Sequence, residues 1–228
     1  MPVEIGFCPQ ENVICITNRR LCKDAAPRTG RTAGAQSALS GANAAFLRQL
    51  RHVAAARPRQ IILREKDMTP AEYEILLLQC KAICDAFEVP LFAHTFMDVA
   101  RHAGIKKIHL PLPALIAHGR RPDGFEVVGT SIHSLEEAQM AAALGADYVT
   151  AGHIFDTDCK KGLPGRGLAF LKDVCSGVSL PVYAIGGITP DNMAKVLACG
   201  AAGGCMMSSL MTAPDPKCYL AGVSKAST

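Results

Sequence analysis

Short apolar runs recur along the whole chain, at residues 13–18, 60–65, 90–94, 107–111, 126–133, 148–154, 181–187 and 203–209. Each is five to eight residues long, the length of a strand, and the later ones are apolar almost without interruption, as strands covered on both faces are. The stretches between them carry helical spacing or helix-start chemistry. Phe46, Leu47, Leu50 and Val53 repeat at helical intervals within 44–56. Thr69, Pro70 and Glu72 supply a cap, a first-turn proline and a first-turn acid for a helix running to about Phe87. Thr95 is placed to cap a helix over 96–103, and 113–118 reads as a short helix. Ser134 and Glu137 match a capping box, for a helix ending near Gly145. Further helices are expected over 166–175, from Thr189-Pro190-Asp191 to Gly200, and over 214–220. Residues 23–43 have little apolar periodicity and read as a long loop, a lid or a poorly ordered segment.

Eight strands alternating with helices predict an α/β protein and, at this length, a single (β/α)8 barrel over 1–228 with its core at about 12–212. A doubly wound open sheet is less consistent, because no strand leads into Gly-x-Gly-x-x-Gly or a Walker loop.

The net charge of +4, without a long basic run, does not point to nucleic acid but suits an anionic small substrate. Ten cysteines are scattered with no C-x-x-C spacing, so they read as reduced thiols of a cytoplasmic protein. The N-terminus lacks the charged-then-apolar pattern of a signal peptide, and no run reaches the ~18 apolar residues of a membrane span.

In such barrels chemistry sits at the C-terminal ends of the strands. At the end of the second, Arg64 and Lys66 share one face with Ile62. Either they pair internally, with Glu65 or a neighbouring carboxylate, or they bind an anion. Ser131 and His133 share a face of the fifth strand with Gly129, and His133 immediately precedes a helix cap. A neutral imidazole suits that position and could serve as a base, or simply be bonded into the junction. Thr157, Cys159 and Lys160 lie in a Gly-rich basic loop that can close on a ligand or remain solvated. Gly186-Gly187 and Met207-Ser208 end the seventh and eighth strands, where backbone N–H groups often cradle phosphate; the glycines could also merely make tight turns.

Arg64-Glu65-Lys66, Ser131 to Ser134, Ala146-Asp147-Tyr148, Thr157 to Lys161, Ile185 to Ile188 and Ser208 together resemble the thiamine phosphate synthase superfamily, over roughly 12–212. The loop GHIFDTDCKKGLPGRG looks most like the TenI-type thiazole tautomerase branch. The resemblance implies a cofactor-independent isomerase without a metal. Its substrate would be a dihydrothiazole ylidene carboxylate phosphate, converted to the aromatic carboxythiazole phosphate with His133 as acid and base. Gly187, Met207 and Ser208 would then hold the phosphate. Thr157, Cys159 and Lys160 would contact the thiazole and its carboxylate, and Arg64 and Lys66 would hold an anionic group. The family also suggests a homodimer. Two alternatives stay open: a magnesium-dependent thiamine phosphate synthase, and a non-catalytic thiazole-phosphate-binding regulatory barrel. Against the synthase, the Asn-Asp pair and later Asp of that branch fall here at His94-Thr95 and Ala114.

Overall fold

The computed structural model describes residues 12–22, 35–157, 160 and 162–225. Eight strands, β1 Val13–Ile16, β2 Gln60–Leu63, β3 Leu91–His94, β4 Lys107–Pro111, β5 Val127–Ile132, β6 Tyr148–Gly152, β7 Val182–Ile185 and β8 Gly203–Met206, follow one another around a closed barrel. Every neighbouring pair is parallel, including β1 with β8. The helices are α1 Ala35–Ala55, α2 Pro70–Ala86, α3 Met97–His102, α4 Leu112–His118, α5 Leu135–Ala143, α6 Gly167–Gly177, α7 Pro190–Leu197, α8 Ser208–Thr212 and α9 Pro216–Lys225. The chain is therefore the (β/α)8 barrel that the alternating runs predict.

Strand alternation splits the core in two. Outward residues such as Val13, Cys15, Ile61, Leu63 and Ile108 pack under the helices. Inward residues Ile14, Ile16, Ile62, Phe92, Tyr148, Tyr183 and Cys205 fill the barrel. Both faces of each strand are thus covered, which is why the runs look continuously apolar. Gln60, His94, His109 and Thr150 are buried among the strands and must find partners inside the protein.

The local signals largely hold. Thr69 and Glu72 form a full capping box at α2, and Thr189 and Asn192 form another at α7. Three expectations are corrected. Helix α1 begins at Ala35, inside the stretch expected to be a loop; residues 23–34 of that stretch lie outside the described residues. Thr95 does not cap α3: it adopts φ of 69° and its hydroxyl bonds the His94 ring at 2.7 Å, while Phe96 occupies the cap position without a side-chain bond. At α5, Ser134 accepts from the Glu137 N–H, but the Glu137 carboxylate reaches back one residue further, to the N–H of His133.

Candidate active site

The parallel closed barrel brings the C-terminal ends of all eight strands to one rim. Arg64, Lys66, Ser131, His133, Gly187, Met207 and Ser208 all follow or end strands there. Thr157 and Lys160 follow β6, and the Lys160 N–H donates to the Thr157 carbonyl at 3.0 Å. Cys159 lies outside the described residues.

The alternation after β2 separates Glu65 from its two cationic neighbours. Glu65 is buried and turned toward β1, where it accepts from the Thr17 hydroxyl at 2.7 Å and the Arg19 N–H at 3.0 Å. Burial holds its carboxyl above the ordinary range, opposed by those donors. Asp67 is likewise engaged, by the Arg19 and Arg20 guanidinium groups at 2.8 Å each. Among the described residues, neither Arg64 nor Lys66 has an ion pair with a carboxylate. Burial first, and then the charges of Arg64 and Lys160, push the Lys66 ammonium down. Lys66 therefore lies in the field of two other cations at the rim, and the internal salt bridge considered for Arg64 and Lys66 is not what the fold builds. Like charges held close together suit a multiply charged anion.

His133 is exposed at the rim, with Nδ1 3.1 Å from the Gly152 carbonyl oxygen. That oxygen can only accept, so Nδ1 carries a proton and a neutral ring presents Nε2 as an acceptor. His153 does not join it: its Nε2 donates to the Leu163 carbonyl at 3.2 Å and ties down the β6 loop. Gly165 N–H anchors the same loop on Asp156 at 2.7 Å.

Gly186 and Gly187 have φ of 97° and 66°. A β-carbon on Gly187 would stand 2.7 Å from the Asp156 carbonyl oxygen, so the chain comes close to its neighbours without a side chain. Asn192 accepts from the Thr189 N–H and donates to the Gly187 carbonyl at 2.8 Å, fixing this turn. Met207 caps α8, whose first turn begins at Ser208 and offers N–H groups lacking intrahelical acceptors.

A polar chain runs through the barrel interior that the sequence did not reveal. Gln60 Nε2 bonds the Tyr148 hydroxyl at 3.0 Å, which lies 3.0 Å from His109 Nδ1. His109 Nε2 is 2.8 Å from the Ser131 hydroxyl, and Thr150 bonds that hydroxyl at 2.9 Å. The His94 and His109 rings stack at 5.8 Å. Burial drives the protonated form of His109 down to about 3. It does the same to His94, down to about 2, helped there by His109 and the nearby Arg64 and Lys66 charges. Both rings are neutral at neutral pH. The signal available beforehand was the inward position of polar residues at period two along β4 and β6.

The residues at the synthase metal positions do not suit magnesium. His94 is neutral and its Nδ1 is taken by Thr95. Ala114 has no donor. Among the described residues no group of three or more His, Cys, Asp or Glu could hold a metal ion. Magnesium prefers carboxylate oxygens and substrate phosphates, and His94, Thr95 and Ala114 offer no carboxylate. A cavity of about 590 Å³ opens at the opposite end of the barrel, lined by Arg57, Arg59, Gln60, Lys107 and Tyr183 among others. It adjoins the start of the strands and lies away from this rim.

Fold and rim together define a TIM barrel with its candidate site at the C-terminal ends of the strands, where such barrels often bind phosphate. The thiamine monophosphate synthase family profile matches residues 35–210. A thiamine-phosphate synthase 2 of Streptococcus pneumoniae is 36% identical over 157 residues, 67% of this chain and 74% of that protein. The thiamine-phosphate synthase of Coprothermobacter proteolyticus is 34% identical over 188 residues, 81% of this chain and 87% of that protein. A solved thiamine phosphate pyrophosphorylase from Pyrococcus furiosus superposes with a TM-score of 0.74 at 25% identity, covering 96% of each chain. The chain belongs to the thiamine monophosphate synthase family. These relatives are named as synthases, which are transferases, and that overturns the isomerase class drawn from the loop resemblance. No described helix is long and apolar enough to cross a membrane.

Proposed function

We propose that the rim binds a pyrophosphate ester and a phosphorylated thiazole and joins them, as in the thiamine-phosphate synthases that the chain is similar to. The observation that carries the reading is the group of Arg64, Lys66 and Lys160, which is more positive charge than one phosphate monoester requires. In the reaction the bond between the pyrimidine methylene carbon and the pyrophosphate oxygen breaks. A bond from that carbon to the thiazole nitrogen forms, and pyrophosphate leaves with the electron pair. The negative charge that develops on the leaving oxygen is what nearby cations stabilise. In this chain Arg64, Lys66 and Lys160 do so. Gly187, Met207 and Ser208 hold the thiazole phosphate through N–H and hydroxyl groups. Ser131 and the loop residues Thr157 and Cys159 contact the substrate, and His133 Nε2 offers an acceptor at the rim.

The test is incubation of purified protein with pyrimidine pyrophosphate and thiazole phosphate, with magnesium or with chelator, reading thiamine phosphate by mass spectrometry. Condensation is expected, and Arg64→Ala/Lys66→Ala should lower it by at least about 100-fold, the loss of two charge-assisted contacts. The absence of a carboxylate at His94, Thr95 and Ala114 favours a second reading, a barrel that binds thiazole phosphate without turnover. Binding of both substrates with no product in either condition would replace the synthase with that reading.

A further inference from the structure

We propose that Gln60, Tyr148 and His109 form a one-directional hydrogen-bond chain that fixes Ser131 as a donor toward the rim, making His109 and Tyr148 positioning residues of the site. The direction follows from what each group can do. The Gln60 Nε2 amide can only donate, so the Tyr148 oxygen accepts from it at 3.0 Å. Tyr148 then spends its single proton on its other partner, His109 Nδ1. With Nδ1 an acceptor, the neutral ring carries its proton on Nε2 and donates to Ser131 at 2.8 Å. Thr150 donates to the same Ser131 oxygen at 2.9 Å. Both acceptor positions of that hydroxyl are filled, so its own proton is left for a ligand. Ser131 is only half-buried, at the end of β5. The atom it meets must therefore be an acceptor, such as a phosphate oxygen, and a donor group there would face two protons.

The chain orients and does not conduct protons. Passing a proton from Ser131 outward would end with a charge on Tyr148, and burial holds that phenol well above its ordinary range. Nor can a doubly protonated His109 form near neutral pH, since burial holds it at about 3. Strand register builds the chain: Pro111 pairs with Ser131 and Ser131 with Thr150, which sets the inward His109, Ser131 and Thr150 side by side.

That Ser131 meets substrate rests on the proposed function; the direction of the chain does not. The experiment reads the two separately. Histidine-ring ¹⁵N spectra of the full-length protein should show His109 as the neutral Nε2–H tautomer. In Tyr148→Phe the His109 Nδ1 signal should move to the position of an unbonded ring nitrogen. Titration of inorganic pyrophosphate should show about tenfold weaker binding for Ser131→Ala and for Tyr148→Phe, with the double variant no weaker than Ser131→Ala. A His109 Nδ1–H tautomer would reverse the bonds of that ring to Tyr148 and Ser131 and overturn the inference, as would fully additive losses in the double variant. If wild type does not bind pyrophosphate, the rim reading falls and the tautomer alone decides the chain. If Tyr148→Phe does not fold, the wild-type tautomer decides it.

Discussion

Lowering the pH from 6.5 to 4.5 should cost the fold about 5 kcal/mol, through His94 and His109 alone. An unfolded histidine takes up its proton near pH 6.5. Folded His109 resists down to about 3 and folded His94 down to about 2, chiefly because burial excludes the charged ring. The unfolded chain therefore binds up to two more protons than the folded one between these limits. Both folded values are depressed, so the stability is fully present above pH 6.5 and drains as pH falls toward the folded values. At about 1.4 kcal/mol per group per pH unit, two units and two groups set a ceiling of about 5.6 kcal/mol, and half-protonation of the unfolded rings at pH 6.5 brings it to the figure above. That approaches the whole stability of an ordinary domain. Glu65 works in the opposite sense. Its folded carboxyl lies above its usual value, so it binds its proton earlier when folded and lessens the slope through its own titration. Urea unfolding at pH 7, 5.5 and 4.5 measures the slope. It should approach two protons per unit in wild type and about one in His109→Gln. A flat profile would mean that the two rings are not buried and neutral.

Gly129→Ala should destabilise the protein by about 4 kcal/mol, from overpacking of up to ~3 kcal/mol and the loss of a hydrogen bond at ~1 kcal/mol. A β-carbon there would stand 2.1 Å from Cζ and 2.5 Å from the hydroxyl of Tyr148. Neighbouring rings flank it, and only the cavity at the start of the strands adjoins it. Phe92 and Tyr183 meet it edge-on at 5.9 and 5.8 Å, and His109 lies 5.6 Å away. Displacing Tyr148 also breaks its bonds to Gln60 and His109, so the rim should lose Ser131 orientation along with stability. Gly119→Ala is the contrast. Its φ of 76° disfavours a side chain, but nothing lies within 4 Å of the added carbon. The cost there should be about 1 kcal/mol. Thermal melts of both variants compare them directly, and equal shifts would refute the packing argument.

The strands were legible because burial on both faces leaves a local record: an apolar run bounded by turn residues. The helix starts at Thr69 and Thr189 were legible because capping is settled within four residues. Thr95 deceived for the same reason. Its hydroxyl has the chemistry of a cap, but the neutral His94 ring competes for it, and that ring is placed by tertiary packing. Glu65 shows the limit at the site. From the sequence it stood between two cations as a ready partner. The strand's alternation and the Thr17 and Arg19 donors from the β1 loop turn it away from both.

By itself the sequence determined the eightfold repeat of strand and helix, the rim positions of Arg64, Lys66, Ser131, His133, Gly187 and Ser208, and the lack of carboxylates at His94, Thr95 and Ala114. These are properties of local pattern and residue identity. Only the tertiary structure decided which charges meet which partners and which polar groups face inward together. Gln60, Tyr148, His109 and Ser131 lie on four different strands, up to 88 residues apart between the bonded Gln60 and Tyr148. Barrel closure and strand register set their spacing, and the exclusion of water inside the barrel keeps the histidines neutral and commits each of these groups to a partner.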